Sequence, residues 1–206
     1  MRVLVATLGF DEKFAIRALM RHSDEIRKVV IVIAEPVEER AAKALGEVEK
    51  FIKLYLEGKS VEVIKVDPSS VYDAIVKLKN IFSAYEEYIV NISGGMRALI
   101  VELLIAFTLS RARGIIEIEL ENFRGLISLP PEMFMLPPLS SEEYKILREI
   151  VSRGRVSPRE LIKALDIPRS TFYKYMRNLV SKKLVITRKE DKRTVYEATK
   201  IARIMV

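Results

Sequence analysis

Two short glycine-containing stretches place polar and charged side chains directly after apolar, strand-like runs. The first is Thr-Leu-Gly-Phe-Asp-Glu, residues 7–12, and the second is Asn-Ile-Ser-Gly-Gly-Met-Arg, residues 91–97. Glycine lets backbone N–H groups approach an anion closely, and the dipole at the start of a helix favours negative charge. Arg97 adds a fixed cation, and Asn91 and Ser93 add hydrogen-bonding groups. This combination predicts a site for a phosphate-bearing ligand.

The same stretches also have a purely structural interpretation, since two glycines after a strand commonly form only a tight turn. Their spacing matches neither the Gly-x-Gly-x-x-Gly dinucleotide fingerprint nor the Walker phosphate loop. Phe10 is expected either to stack on a base or to belong to the core. The candidate ligand-binding residues are Leu8, Gly9, Phe10, Asp11, Asn91, Ser93, Gly94, Gly95, Met96 and Arg97.

The elements around both stretches predict one shared crevice. Residues 1–130 alternate β-rich runs with helical patterns, which indicates a mainly parallel six-stranded sheet with helices on both faces. In the usual doubly wound strand order 3-2-1-4-5-6, the first and fourth strands are neighbours, and ligands bind at their carboxyl ends. The two stretches follow these two strands. The predicted strands are Arg2–Thr7, Val29–Ala34, Val61–Val66, Tyr88–Ile92, Ile115–Leu120 and Gly125–Leu129, and the predicted helices are Asp11–Arg21, Glu38–Glu57, Ser69–Phe82 and Gly95–Ser110.

Charge is distributed unevenly along the chain. Residues 140–206 carry 17 Lys and Arg against 8 Asp and Glu, a net charge of +9, whereas the whole chain carries +7. The remaining residues, 1–139, therefore carry a net charge of −2. This segregation predicts that the C-terminal part binds a polyanion, with a merely solvated surface as the alternative.

The C-terminal part has the pattern of a winged helix-turn-helix domain. Ser140 with Glu143, and Ser157 with Glu160, predict capping boxes at the starts of two helices. A third helical pattern is followed by two β-rich runs around the charged turn at 189–193, which indicates a hairpin. The predicted organisation is an N-terminal domain at 1–130, a proline-rich linker at 131–139 whose Met-Phe-Met segment is packed, and a winged helix at 140–206.

The third helix of this domain has one apolar and one polar face. Phe172, Met176 and Leu179 share the apolar face and are expected in the core. The second helix of a helix-turn-helix pair enters the major groove of DNA, which makes the opposite face the candidate interface. A winged helix used for protein contacts or dimerisation is the alternative. The candidate DNA-binding residues are Arg169, Ser170, Thr171, Tyr173, Lys174 and Arg177 in the helix and Arg188, Lys189, Lys192 and Arg193 in the wing.

The stretches TLGFDE and NISGGMRALIVELL, together with the six strands, the linker and the winged helix, resemble the CRISPR-associated Rossmann-fold (CARF) transcription regulators of archaea. The most specific feature is the Asn-x-Ser/Thr-Gly-Gly turn, matched here by residues 91–95. The resemblance implies a homodimer whose two crevices form one site on the two-fold axis for a cyclic oligoadenylate, most often the tetramer. Family members often carry lysine after the glycines, where this chain has Met96 and Arg97. Arginine keeps the charge for phosphate but weakens the case for lysine-assisted ring cleavage.

We expect a ligand-responsive transcriptional regulator in antiviral defence, with no cofactor, metal or catalytic residue. The chain has no cysteine and one histidine, His22, which is expected to be solvated at the end of the first helix. One alternative is a metal-independent ring nuclease, in which Ser93 and Arg97 orient the ligand's own 2′-hydroxyl. Another is a regulator that responds to a different nucleotide metabolite. The expected partners are a second copy and duplex DNA.

A membrane partner is not expected. The longest apolar stretch, Ala98–Leu109, contains Glu102 and is shorter than the roughly 20 residues that a bilayer requires. No segment has the pattern of a targeting signal. The sequence therefore predicts a cytoplasmic protein.

Overall fold

A computed structural model of the chain describes residues 2–190 and 193–206. It divides into two compact units, one ending at Met135 and the other beginning at Leu136. In the part of the chain that is described, no helix is long and apolar enough to cross a membrane.

The first unit is built on one six-stranded sheet with helices on both faces. Its elements are β1 (Arg2–Leu8), α1 (Lys13–His22), β2 (Ile26–Ala34), α2 (Glu39–Tyr55), β3 (Ser60–Val66), α3 (Val71–Ile81), β4 (Glu87–Asn91), α4 (Arg97–Ser110), β5 (Arg113–Glu119) and β6 (Leu126–Leu129). The strand order is β3-β2-β1-β4-β5-β6, as the sequence predicts. All neighbours pair in parallel except β5 and β6, which are antiparallel. The Rossmann-like prediction is therefore confirmed.

Two apolar layers hold this sheet between its helices. Val3 and Val5 of β1 belong to the layer shared with α3 and α4, whereas Leu4 and Ala6 belong to the layer shared with α1 and α2. All four side chains are fully buried. Alternate residues of a strand point to opposite faces, so a strand covered on both sides needs an almost continuous apolar run. This explains why β1, β2 and β4 lack the alternation of polar and apolar residues.

A buried polar cluster links α1 to β5 and corrects the interpretation of His22. His22 Nε2 lies 3.0 Å from each carboxylate oxygen of Glu117, and Arg17 Nε donates to Glu119 Oε1 at 2.5 Å. His22 is only 9% exposed, so the expectation of a solvated side chain is wrong. The end of α1 lies against two buried glutamates of β5, and buried carboxylates require hydrogen-bond donors. The cluster reaches the second glycine stretch, because the Glu119 N–H donates to Ser93 Oγ at 2.8 Å.

Glu102 on α4 is a buried carboxyl group whose Oε2 has no hydrogen-bond partner among the described residues. Burial raises its pKa, and the nearby Asp67 carboxylate adds to the increase. A glutamate whose pKa rises on folding binds protons more readily in the folded state. The unfolding free energy therefore decreases as the pH rises past the unfolded pKa of about 4.3.

We expect Glu102→Gln to raise the free energy of unfolding at pH 7 by about 0.5–2 kcal/mol, because the amide carries no charge to desolvate. Urea denaturation between pH 4 and pH 8 measures the effect, which should shrink toward pH 4 as the native carboxyl becomes protonated. Glu47→Gln is the control, since Glu47 is an exposed position of α2. An equal gain at pH 4 and pH 7 would contradict the explanation.

The second unit is a winged helix, as predicted. Its elements are α5 (Ser141–Arg153), β7 (Arg155–Val156), α6 (Pro158–Leu165), α7 (Arg169–Ser181), β8 (Val185–Glu190) and β9 (Arg193–Ala198). The strands form an antiparallel sheet in the order β7-β9-β8. Both predicted capping boxes are present at the starts of α5 and α6. Phe172, Met176 and Leu179 lie in the core of this unit.

The linker is buried at Pro131, whereas the last two residues of its Met-Phe-Met segment are exposed. Pro131 is buried at the start of a single 3₁₀ turn, Pro131–Phe134, which contacts α4 and β5. Phe134 and Met135 are exposed, so the expectation of packing is wrong for these two residues. One turn of 3₁₀ helix presents only one side to its neighbours, and Pro131 occupies that side.

Candidate ligand site and nucleic-acid interface

The predicted crevice is a cavity of about 360 Å³ at the carboxyl ends of β1 and β4, which are paired neighbours in the sheet. Both glycine-containing stretches contribute to its lining. The structure thus brings together eight of the ten candidate ligand-binding residues, namely Leu8, Gly9, Phe10, Asp11, Ser93, Gly94, Gly95 and Met96.

Glycine is required because the backbones of the two turns touch. A Cβ atom on Gly9 would lie 3.0 Å from both Cα and N of Gly95. Gly95 has φ +107°, a conformation that side-chain-bearing residues rarely adopt, and its own Cβ would lie 3.0 Å from Thr7 Cβ. Thr7 Oγ1 donates to the Gly94 carbonyl, which ties the second turn to β1. The glycines therefore bring two peptide backbones together at the edge of the cavity.

Asn91 does not line the cavity, and its side chain supports the turn that follows β4. Its side chain is completely buried, and its Oδ1 accepts from the Ser93 N–H at 3.3 Å. Ser93 lines the cavity, and its hydroxyl oxygen accepts from the Glu119 N–H. A hydroxyl has one donor and two acceptor sites, so Ser93 still has a proton to donate to a ligand.

Phe10, Met96 and Arg97 lie at the surface around the cavity. Phe10 is 50% exposed and is therefore not a core residue, and the guanidinium carbon of Arg40 lies 4.8 Å from the centre of its ring. Met96 precedes α4 and is half exposed. Arg97 is the first residue of α4, is exposed, and is the second candidate that does not line the cavity. The predicted cation thus lies at the start of a helix, outside the cavity itself.

Sequence reasoning missed one wall of the cavity. The end of β2 and the start of α2 supply this wall, while α1 adds one aromatic residue. In a doubly wound sheet the loop after β2 also lies at the carboxyl edge, next to β1. The usual strand order could therefore have predicted that this loop contributes to the site. The sequence of this loop contains no glycine motif that would mark it as part of a binding site. The additional lining residues are Phe14, Ile33, Ala34, Pro36, Glu38 and Ala41.

A second candidate site is a groove of about 1350 Å³ in the winged unit, between α6, the start of α7 and the wing. It brings together Arg169, Tyr173 and Arg193 of the predicted DNA-binding set. Tyr173 is not on a fully exposed face, because its ring packs edge-on against the core residue Phe172 at 5.3 Å. Three cations that the sequence pattern did not single out also line the groove, namely Arg155, Arg159 and Lys163.

The remaining predicted DNA contacts lie outside this groove. Ser170, Lys174 and Arg177 are exposed on α7, Thr171 is partly buried there, and Lys189 is exposed on β8. Lys192 lies outside the described residues.

Arg188 is not a free cation in the winged unit. Arg188 Nε lies 2.7 Å from Glu197 Oε2, and Arg155 bridges the same glutamate and Glu190. These glutamates neutralise part of the positive charge of the wing, which a count of charges along the sequence does not reveal.

Comparisons with known protein families give a match for each unit. Residues 2–130 match the family model of the Csa3 CRISPR-associated Rossmann-like domain. Residues 138–202 match the model of the sugar-specific transcriptional regulator TrmB. A search among curated protein sequences found no significant match.

Three solved structures illustrate the similarity. The adhesin competence repressor AdcR from Streptococcus pyogenes has 26% identity, with 32% of this chain and 52% of its own covered, and a TM-score of 0.31. MarR from E. coli has 21% identity, with 35% of this chain and 57% of its own covered, and a TM-score of 0.31. Can2 from Sulfobacillus thermosulfidooxidans, solved with cyclic tetra-adenylate, has 9% identity, with 98% of this chain and 61% of its own covered, and a TM-score of 0.48.

The chain spans less than two thirds of each of these structures. The match to the family model, in contrast, extends over residues 2–130 of 206, which is more than half of the chain. It includes both glycine-containing stretches and all six strands of the sheet. The protein therefore belongs to the Csa3 family of CRISPR-associated Rossmann-like domain proteins.

Proposed function

We propose that this protein is a CRISPR-associated transcriptional regulator in which cyclic tetra-adenylate binds at the sheet cavity and changes DNA binding by the winged unit. The observation that carries the proposal is the backbone contact between Gly9 and Gly95 beside a cavity, in a domain of the Csa3 family. The winged unit that follows matches a transcriptional regulator model and carries a net positive charge, which supports DNA binding.

The groups around the cavity suit a ligand with phosphates. Arg97 lies at the start of α4, where the helix dipole adds to its positive charge. None of the described residues forms an ion pair with Arg97, so its guanidinium is available to a phosphate. Ser93 retains a hydroxyl proton that it can donate to a ligand. Binding at this site relies on charge and hydrogen bonds that need no metal.

The size of the ligand and an exposed apolar face support a homodimer. A cavity of about 360 Å³ is too small for a ring of four nucleotides, which supports a ligand shared between two copies. α4 exposes Val101, Ile105 and Leu109 at i, i+4 spacing, and neighbouring α3 exposes Tyr72 and Val76. Exposed apolar faces of this kind mark protein interfaces. We propose that this α3–α4 face joins two copies and places their two cavities on one axis.

The winged unit is proposed to bind duplex DNA through α7 and the groove. Five basic side chains line the groove, and α7 exposes Lys174 and Arg177 beyond it. Insertion of α7 into the major groove would bring these cations to base edges and phosphates. Phosphate contacts release counterions, so the affinity is expected to fall steeply as the salt concentration rises.

α4 offers a route between the ligand and the linker. It begins beside the Gly94–Gly95 turn, and the 3₁₀ turn at Pro131–Phe134 contacts it. A shift of α4 on ligand binding would therefore move the start of the linker. Couplings between distant sites of this kind are worth about 1–3 kcal/mol, which is a change of about 5- to 150-fold in DNA affinity.

Two single substitutions test the assignment of the sites. Arg97→Ala is expected to weaken binding of cyclic tetra-adenylate about tenfold and leave operator affinity without ligand unchanged, since one charge-assisted hydrogen bond is lost. Arg177→Ala is expected to weaken DNA binding about tenfold and leave ligand affinity unchanged. Calorimetry measures the affinity for the ligand. Fluorescence anisotropy, with a DNA duplex selected by the wild-type protein, measures the affinity for the operator.

Arg113→Ala is the matched control, because Arg113 is exposed at the opposite, amino end of β5. Wild-type protein is expected to bind one ring per two chains, and a ratio of one ring per chain would contradict the shared site. Crossed effects of Arg97→Ala and Arg177→Ala would show that the assignment of sites is wrong. An operator affinity that is identical with and without saturating ligand would refute the proposed switch.

A further inference from the structure

The cavity beside the glycine turns has the wrong charge to hold a phosphate. Among the described residues that line it, only Asp11 and Glu38 carry charge, and both charges are negative. The remaining side chains are apolar, apart from Ser93. A phosphate placed inside would lie beside these two carboxylates, and no basic side chain of the described residues lines the cavity to offset the repulsion. The anionic part of the ligand must therefore remain outside, on the side of Arg97.

We propose that the cavity receives one nucleobase of the ligand and that Glu38 determines specificity by accepting a hydrogen bond from the exocyclic amine of that base. This inference rests on the proposed function, since it concerns the same site. It assigns a role to the wall formed by the end of β2 and the start of α2.

The shape and chemistry of the cavity fit a planar aromatic ring. Its volume, about 360 Å³, lies at the lower end of the range of roughly 300–1,000 Å³ that is typical of small-molecule sites. Phe14, Ile33 and Ala41 supply apolar surface for the faces of a base. At the rim, Phe10 is half exposed and carries the Arg40 guanidinium over its ring. Apolar walls with a few polar groups that fix orientation are the usual composition of such a pocket.

Glu38 is the acceptor because its carboxylate has no other partner among the described residues, whereas that of Asp11 does. The Asp11 carboxylate accepts from the Lys13 N–H at 2.9 Å and lies 3.9 Å from Lys13 Nζ. Glu38 precedes α2 as its N-cap residue, but its side chain does not cap the helix. It forms no ion pair within the described part of the chain, and it lines the cavity. A carboxylate at the edge of an apolar cavity is suited to an N–H donor.

Adenine offers such a donor in its 6-amino group. A hydrogen bond to a charged acceptor contributes more to binding than one between neutral groups. A site that accepts from a ligand N–H discriminates against an analogue that lacks this group, because the charge-assisted hydrogen bond is then lost. Glu38 is therefore expected to separate adenine from a purine without the 6-amino group.

The test combines one change in the protein with one change in the ligand. The proteins are wild type, Glu38→Ala and the matched control Glu39→Ala. Both glutamates are exposed, but only Glu38 lines the cavity, so the control removes the same charge from the adjacent residue. The ligands are cyclic tetra-adenylate and the cyclic tetramer of purine riboside, which lacks the 6-amino group. Calorimetric titration of the full-length protein gives every dissociation constant, and thermal unfolding confirms that each variant is folded.

We expect Glu38→Ala to weaken binding of cyclic tetra-adenylate about 10- to 100-fold, and Glu39→Ala to weaken it less than about threefold. The amine-free ring is expected to bind wild type and Glu38→Ala with similar affinity, since the hydrogen bond is already absent. An equal effect of Glu38→Ala on both rings, or equal effects of the two alanine variants, would overturn this inference and leave the proposed function standing. Wild-type protein that binds neither ring would overturn both.

Discussion

Gly95→Ala is expected to weaken binding of cyclic tetra-adenylate by about 100-fold, the largest loss predicted for the ligand site. Gly95 adopts φ +107°, and an alanine there carries about 1–3 kcal/mol of backbone strain. Its Cβ would also lie 3.0 Å from Thr7 Cβ and 3.3 Å from Thr7 Oγ1, so the turn must move away from β1. Each 1.4 kcal/mol corresponds to about a factor of ten in affinity, and a displaced turn loses contacts as well.

Gly94→Ala is the control, and it is expected to change the affinity about threefold or less. A Cβ on Gly94 would lie 3.5 Å from the Thr7 carbonyl oxygen and 3.7 Å from Phe14 Cδ2, both ordinary contact distances. Gly94 also does not have a left-handed backbone conformation. Calorimetry with both variants decides the matter, after thermal unfolding has shown that each is folded. Equal affinities of Gly94→Ala and Gly95→Ala would contradict this account of the turn.

Gly114→Ala is expected to lower the free energy of unfolding of the sheet unit by about 3–5 kcal/mol, at the upper end of single substitutions. A Cβ on Gly114 would lie 2.0 Å from the Tyr88 carbonyl oxygen, far inside any allowed contact. Gly114 pairs with Tyr88 in the parallel ladder of β4 and β5, and Tyr88 is fully buried. Neither strand can move aside without breaking the ladder, so the clash cannot be relieved locally.

Gly46→Ala provides the opposite control in the same unit. Gly46 lies inside α2, and a Cβ added to it would have no neighbouring atom of the described residues within 4 Å, so a methyl group there meets open space. Alanine in a helix interior is favoured over glycine by about 0.5–1 kcal/mol, and the free energy of unfolding should rise by that amount. Urea denaturation followed by circular dichroism measures both variants. A Gly114→Ala protein with the wild-type midpoint would refute the predicted clash.

The architecture of both units follows from the sequence alone. Strand and helix alternation, with almost uniformly apolar runs at β1, β2 and β4, is sufficient for a parallel sheet covered on both faces. The usual strand order then makes β1 and β4 neighbours, as observed. The two glycine-containing stretches, which follow these strands, are therefore expected to lie side by side. Both capping boxes could also be predicted, because the residues involved lie only three positions apart. Local sequence patterns and a common topology are therefore sufficient to predict the fold, the neighbouring strands and the capping boxes.

The tertiary structure determines which side chains share a site, and whether each of them is buried or paired. Glu38 lines the cavity because the loop after β2 lies beside β1, and nothing in the local pattern around Glu38 signals this. His22 is buried because Glu117, 95 positions away, lies beneath the end of α1. Contacts between residues far apart in the sequence determine burial, ion pairing and the difference between two adjacent glycines. Residue types and spacing can indicate that a site exists, but its walls are set by packing.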